Sequence, residues 1–458
     1  MFGTSGVRGP IGEEITAETA LAVGRALPSC GYDHVVVGRD PRETGAVLVD
    51  ALASGVRECG GDVVELGLAA TPTVARSVAE LDADAGVSVT ASHNPAPDNG
   101  LKLWTPSGQA FDERRRGEIT ACVENEAWEF ADWDAFGDRR RDEDATERHR
   151  DALVAAVRGA TSGSETALSG GEPSVATPLD ETVVVDVGNG AGGVTAVALD
   201  RLGCSVQTLN GQPDGRFPGR PSEPTAENCA LLQTTVANSP ATVGIAHDGD
   251  ADRTMVVDET GGFVSGDALL AILAREAAAP GDTVAVPVDT SLAVDDTLAE
   301  HDVHVTRTAV GDVFVAEAAS EDGVVFGGEP SGAWIWPDET LCPDGPLAAC
   351  HVVELVAREG SLSALADGVA SYPIHRENVE TDRKTAVMER VAELASERYP
   401  DEDVTTLDGI RVARESGWFL IRDSGTQPLI RVTAEAREET AASRLREEVS
   451  AMLDSAQA

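Results

Sequence analysis

Three valine-rich runs constrain this chain more than any other feature. They are Val35-Val36-Val37-Gly38-Arg39-Asp40, Val183-Val184-Val185-Asp186-Val187-Gly188 and Val284-Ala285-Val286-Pro287-Val288-Asp289. Each is continuously apolar rather than alternating, and each leads through a turn into an amphipathic stretch. A strand that is apolar on both sides must be covered on both faces, so these runs predict α/β layers with buried sheets. At 458 residues the chain is too long for one core; roughly 150 residues per domain gives about three. The runs head three α/β domains of similar design, over residues 1–158, 179–262 and 263–368. Residues 159–178, rich in Ser, Thr, Gly and Ala, read as a linker or surface loop. From 369 to 458 the texture changes. Charged helices over 382–398 and 438–456 flank short strands at 417–421 and 429–433, which predicts a smaller α+β domain. The charged runs 139–141 and 142–144 mark solvated loops or helix ends.

The formal net charge is -44, and the chain has two lysines, Lys102 and Lys384. This balance resembles that of salt-adapted proteins, because molar salt screens charge repulsion within about 3 Å. The acidity predicts no nucleic-acid or anionic-membrane partner. It leaves open a local basic pocket for phosphate. No apolar run approaches the ~18 residues of a membrane span. The opening residues show no basic-then-apolar leader. The seven cysteines are scattered without a CxxC pair, which argues against a disulfide framework and for a reducing cytoplasm.

The first chemical motif is Thr90-Ala91-Ser92-His93-Asn94-Pro95, followed by Lys102. Keeping a lysine here, in a chain nearly without them, indicates a titratable amine. Arginine, with a pKa above ~12, cannot shuttle protons. Ser92 beside His93 is the candidate nucleophile or phosphate carrier. The second motif is Asp248-Gly249-Asp250-Ala251-Asp252-Arg253. Three carboxylates at alternate positions after an apolar strand (242–246) can converge on one hard divalent cation. An EF-hand loop competes, with Glu259 at its twelfth position. Against it, Arg253 replaces the required glycine and the flanks read as strands.

Two further motifs are weaker alone. Gly327-Gly328-Glu329-Pro330-Ser331-Gly332 presents a glutamate and a serine that can bond vicinal sugar hydroxyls. Arg422-Asp423-Ser424-Gly425-Thr426-Gln427-Pro428, with Arg431 beyond, offers hydroxyls, loop amides and an arginine fork for phosphate. An ordinary Gly or Pro turn explains either about as well. Gly188-Asn189-Gly190-Ala191-Gly192-Gly193 matches a dinucleotide fingerprint. The next strand, 205–209, ends at Asn210 without the acid such a site needs, so the glycines read as a tight strand-to-helix turn.

Taken in this order, the motifs resemble those of the α-D-phosphohexomutase family over essentially the whole chain. The resemblance includes Phe2-Gly3-Thr4-Ser5-Gly6-Val7-Arg8-Gly9, Asn99-Gly100-Leu101-Lys102 and Thr308-Ala309-Val310-Gly311-Asp312. It implies three α/β domains and a smaller fourth around a central cleft. It also implies a mutase moving phosphate between O1 and O6 of a hexose through a phosphoserine and a 1,6-bisphosphate. By this resemblance Ser92 is the phosphoserine. Asp248, Asp250 and Asp252, with an oxygen on Ser92, hold one Mg2+ per chain, and a sugar 1,6-bisphosphate is the activator. Arg8, His93, Lys102 and Arg253 surround the phosphoryl group, with Lys102 the proton carrier. Glu329 and Ser331, with Thr308 and Gly311, contact the sugar. Arg422, Ser424, Gly425, Thr426 and Arg431 hold the phosphate that is not transferred. Three departures bear on which sugar is used: Ala333 in place of a histidine, Gln427 in place of a glutamate and Asp423 in place of a proline. Glucose, mannose and glucosamine phosphates remain open, as do a pentose phosphate and a non-catalytic binding role.

Overall fold

The computed structural model describes residues 3, 6–162, 178–399, 404–423 and 429–457. The chain divides into two compact units, Met1–Leu269 with Ser331–Ala366, and Leu270–Pro330 with Asp367–Ala458. In the first unit a six-stranded sheet runs in the order Val7–Pro10, Asp98–Trp104, Ala85–Val89, His34–Arg39, Asp62–Leu68, Arg139–Arg141. Its central strands are parallel, and Asp98–Trp104 returns antiparallel beside Ala85–Val89. A second sheet runs Thr254–Asp258, Val243–His247, Thr182–Asp186, Ser205–Leu209. In the second unit, Thr283–Pro287 runs parallel between His304–Thr308 and Val324–Glu329. A five-stranded antiparallel sheet follows, ordered Ile374–Glu380, Leu429–Ala436, Gly417–Asp423, Ile410–Arg414, Val404–Thr405.

The valine runs behave as their composition requires. Val35, Val36, Val37, Val183, Val185, Val284 and Val286 are wholly buried, each strand being covered on both faces. The last sheet packs the helices Lys384–Arg398 and Glu439–Gln457 on its apolar face, close to the expected helices. The glycine turn after Thr182–Asp186 does lead into a helix, Gly193–Arg201. All seven cysteines are free thiols. Among the described residues no helix is long and apolar enough to cross a membrane.

Two expectations need correction. Arg139–Arg141 is not a loop but an edge strand, parallel to Asp62–Leu68. Its side chains are exposed, and Arg139 and Arg141 pair with Glu65. An edge strand accepts charged side chains, so no apolar alternation marks it in the sequence. The expected linker also begins too early. Residues 159–162 close the helix Ala145–Ser162, and residues 163–177 lie outside the described residues.

One buried polar web fixes the helix that reaches the site. Asp344 caps the helix Gly345–Glu359 by accepting from Leu347 N at 3.0 Å. The same carboxylate accepts from Arg76 Nε at 2.9 Å and meets His149 Nε2 at 3.2 Å. Arg76 lies on the helix Thr71–Glu80, whose first residue touches the aspartate loop.

Candidate active site

Two loops meet in the first unit. Residues 90–97 join the strands Ala85–Val89 and Asp98–Trp104, and the register sets Lys102 opposite Ser88 on the return strand. Residues 248–253 join the antiparallel strands Val243–His247 and Thr254–Asp258. Ser92 Oγ donates to Asp248 Oδ2 at 2.7 Å and lies 3.4 Å from Asp252 Oδ1. Lys102 Nζ bonds Asp250 Oδ2 at 3.1 Å and also pairs with Asp252 Oδ2. Thr71 Oγ1 donates to Asp250 Oδ2 at 2.7 Å. Asp248, Asp250, Asp252 and Ser92 are all buried.

Both loops hold a residue in the left-handed region, Ser92 at φ 52° and Ala251 at φ 58°. For a residue with a side chain this costs on the order of 1 kcal/mol or more, so surrounding contacts must impose it. Some of those contacts need glycine. A Cβ on Gly249 would stand 2.8 Å from the Ser92 carbonyl oxygen, and one on Gly190 would stand 2.7 Å from the Gly249 carbonyl oxygen. The dinucleotide-like glycine run therefore presses its turn against the aspartate loop, where Ala191 N donates to Gly249 O at 2.9 Å.

The electrostatics of the triad call for a cation. Burial, then the charges of Asp252 and Asp250, push the Asp248 carboxyl well above the usual range. Burial would raise Asp250 too, but Lys102 and the Thr71 hydroxyl overcome it and hold this carboxyl low. An oxygen from each aspartate falls within 4.8 Å of the others, and buried Asp250 Oδ1 has no hydrogen-bond partner. An all-oxygen, triply acidic set with an unsatisfied buried acceptor fits a hard divalent ion such as Mg2+. Glu259 takes no part. It accepts from Ser361 Oγ, Ser363 Oγ and Ser363 N, which rules out the EF-hand reading. Next to the triad stands His93, with Nδ1 unpartnered. Burial and then the charges of Arg253, Arg8 and Lys102 push its pKa down to about 2. Arg253, Arg8 and Lys102 thus all stand near His93, Lys102 being already paired with Asp250 and Asp252.

Several residues that hold these groups, Thr90 and His247 aside, carry no signal of their own in the sequence. Arg220 Nε pairs with Asp186 Oδ2 at 2.8 Å, and its Nη2 donates to His247 O at 2.6 Å. His247 Nε2 meets Thr195 Oγ1 at 2.8 Å, and its Nδ1 meets the Arg253 carbonyl at 3.0 Å. Arg42, Asp40, Thr90, Ser222 and Thr71 hold the Ser92 turn and Asp250. Most of these bonds go to backbone atoms, which have no sequence signature. Thr254 N donates to Gly332 O at 2.9 Å, and Ala333 bridges to Arg253. The segment that opens with Ser331 thus starts beside the aspartate loop.

In the second unit Glu329 closes the strand Val324–Glu329 and is buried. Thr308 closes His304–Thr308, and Gly311, at φ 134°, precedes the helix Asp312–Ala319. Asp408 Oδ2 accepts from Val310 N at 3.1 Å and from Arg422 Nη1 at 2.7 Å. It ties the 308–311 loop to Arg422. The strand registers align Asn378, Arg431 and Arg422 in one row and Arg376, Thr433 and Leu420 in the next. Rows two residues apart share a face. These residues and Asp289 line a cavity of about 310 Å³. Two arginines directly opposite each other repel; Asp408 already offsets the charge of Arg422, and a bound anion would offset that of Arg431 as well. Asp423 lies 3.9 Å from Lys384 Nζ, the chain's second lysine. Ser424, Gly425, Thr426 and Gln427 lie outside the described residues.

Comparison with known proteins agrees with this geometry. The phosphoglucomutase/phosphomannomutase alpha/beta/alpha domain I model matches residues 1–130, domain II 172–262 and domain III 265–372. The C-terminal domain model of the same family matches 377–452. A probable phosphoglucosamine mutase of Methanococcoides burtonii is 43% identical over 96% of this chain and 95% of its own. That of Methanopyrus kandleri is 44% identical over 98% and 96%. A crystal structure of a phosphoglucomutase/phosphomannomutase family protein from Burkholderia thailandensis superposes with a TM-score of 0.85 at 26% identity. It covers 100% of this chain and 98% of that one.

Proposed function

The chain belongs to the phosphoglucomutase/phosphomannomutase family, and from that premise we propose that it interconverts hexose 1-phosphate and hexose 6-phosphate through a phosphoserine at Ser92. It is an isomerase of the intramolecular phosphotransferase kind. Among hexoses, glucosamine phosphate is our preferred substrate, on the strength of relatives at 43% and 44% identity. The single observation that carries the proposal is the 2.7 Å bond from Ser92 Oγ to Asp248 within the buried aspartate triad.

Asp248, Asp250 and Asp252, with an oxygen on Ser92, would hold one Mg2+. When bound, such an ion supplies Lewis-acid polarisation and charge neutralisation at phosphoryl oxygen. Residues of the chain account for the rest. The bond from Ser92 Oγ to phosphorus breaks as one forms to the free sugar hydroxyl, giving a hexose 1,6-bisphosphate. Lys102 moves the proton that the hydroxyl releases, and Ser92 returns to the hydroxyl that donates to Asp248. Arg8 and Arg253 neutralise the group in transit, so positioning and electrostatics supply the rate. The bisphosphate turns over and its other phosphoryl returns to Ser92. Free bisphosphate activates by phosphorylating Ser92. Glu329 and Ser331, with Thr308 and Gly311, read the sugar. Arg422, Arg431 and Ser424, Gly425 and Thr426 hold the other phosphate. We place the four domains at 1–162, 179–262, 263–368 and 369–458, the first extended to the end of its last helix, and the enzyme in the cytoplasm, with sugar phosphates rather than nucleic acid or membrane as partners.

The test is a conversion panel in concentrated KCl with Mg2+ and a trace of hexose 1,6-bisphosphate. It follows glucose, mannose, glucosamine and ribose 1-phosphates. Fastest conversion of glucosamine phosphate is expected. Release of inorganic phosphate without isomerised product would sink the mutase reading in favour of a phosphatase.

A further inference from the structure

Arg42 is wholly buried, yet it touches no candidate substrate group. Its guanidinium gives all five of its N–H donors to the Ser92 turn and its anchor. Nη2 donates to Ser92 O at 2.9 Å and Asn94 O at 2.6 Å. Nη1 donates to Pro95 O at 2.6 Å and Asp98 O at 2.8 Å. Nε donates to Asp40 Oδ2 at 2.9 Å. Asp40 Oδ2 also accepts from Thr90 Oγ1 at 2.7 Å, and Thr90 Oγ1 accepts from Ser92 N at 2.8 Å. Ser92 is therefore gripped at both its backbone N–H and its carbonyl, and both paths lead to Arg42. Ser222 Oγ adds a second donor to Ser92 O at 2.9 Å, and the Phe217 ring lies 5.0 Å from the guanidinium carbon.

We infer that Arg42 is a positioning residue for phosphoryl transfer, its planar fork moulding the backbone of the Ser92 turn so that Oγ reaches Asp248. The inference rests on Ser92 as the phosphate carrier. Four carbonyls converging on one planar cation demand a fork of fixed geometry. A lysine at this position keeps the charge beside Asp40 but has three donors on a tetrahedral nitrogen and cannot hold all four carbonyls. Without the mould, the left-handed Ser92 relaxes and its Oγ shifts. A misplacement of about 1 Å costs on the order of 100-fold in rate. Sugar binding, which depends on other residues, is spared.

The experiment compares full-length wild type, Arg42→Lys and Thr90→Ala. It measures kcat, KM for hexose 1-phosphate and single-turnover transfer from radiolabelled phosphoenzyme to hexose 6-phosphate. A fall in kcat and in single-turnover rate of about 100-fold for Arg42→Lys, with KM within about twofold, is the expected result. A folded Arg42→Lys protein with kcat within about threefold of wild type overturns the inference. If Arg42→Lys does not fold, Thr90→Ala decides, since it cuts the path to Ser92 N and leaves the buried arginine in place. A fall of about tenfold in kcat at constant KM supports the mould, and an unchanged kcat overturns it. Mapping the label in wild type separates the two claims. Label away from Ser92 removes the phosphate-carrier reading and the Arg42 inference with it. Label on Ser92 with normal turnover in the variants removes only the role of Arg42.

Discussion

Ser92 Oγ donates to Asp248 Oδ2 at 2.7 Å although the two residues lie 156 positions apart. A strained serine aimed at a buried carboxylate is a costly arrangement for structure alone, and it suits a serine that carries a charged group to a metal. Ser92→Ala should abolish mutase turnover, with at least ~10³-fold lost, because no other residue takes over a covalent nucleophile. The fold should survive, since the change removes one hydroxyl. Mass spectrometry of purified protein should show phosphate on Ser92 in wild type and none in the variant. Near-normal isomerisation by the variant would end the assignment.

The three aspartates repel one another in a buried site, and Asp248 responds with a raised pKa. A ligand that binds only the folded site stabilises it by about 2.7 kcal/mol at a hundredfold excess over its Kd. Millimolar Mg2+ should therefore raise the melting temperature of the wild type, and chelator should remove both the shift and the activity. In Asp250→Asn the shift should shrink. A melting curve indifferent to Mg2+ in wild type would count against the triad as a metal site.

Much of this was legible in the sequence, because chemistry demands particular side chains at particular spacings. Ser92, Lys102 and the alternating aspartates are such cases, and the valine runs announced their sheets. Arg42 and Arg220 were not legible, since they grip backbone carbonyls and any loop supplies those. Asp408 carries no sequence signal for a related reason, as its two partners come together only in the folded second unit. The edge strand Arg139–Arg141 looks like a loop in the sequence because exposure hides its period.

The row of Asn378, Arg431 and Arg422, with Arg376 in the next row, predicts a binding defect rather than a chemical one. Arg376 was not flagged by its sequence, yet it faces the same cavity. Arg431→Ala and Arg376→Ala should each raise KM for hexose phosphate, by about tenfold for a lost charged contact of ~1.4 kcal/mol, with kcat less affected. Added inorganic phosphate should inhibit wild type more strongly than either variant. Equal inhibition in all three proteins would place the phosphate elsewhere.

The last prediction concerns acid stability. His351 stacks on Trp336 with 4.7 Å between ring centroids. Burial pushes its pKa down to about 4, with Asp344 pulling weakly the other way. In the unfolded chain the ring titrates near ~6.5. Between these values the unfolded state takes up a proton that the folded state refuses, so stability falls as pH drops from about 6.5 towards 4. The slope from this residue is at most about 1.4 kcal/mol per pH unit. His351→Phe keeps a stacking ring and removes the titration. Relative to wild type, the variant should gain about 2 kcal/mol between pH 7 and pH 4.5, read from urea unfolding at constant KCl. Parallel pH profiles for the two proteins would mean that His351 titrates alike in both states, and that its burial does not limit acid stability.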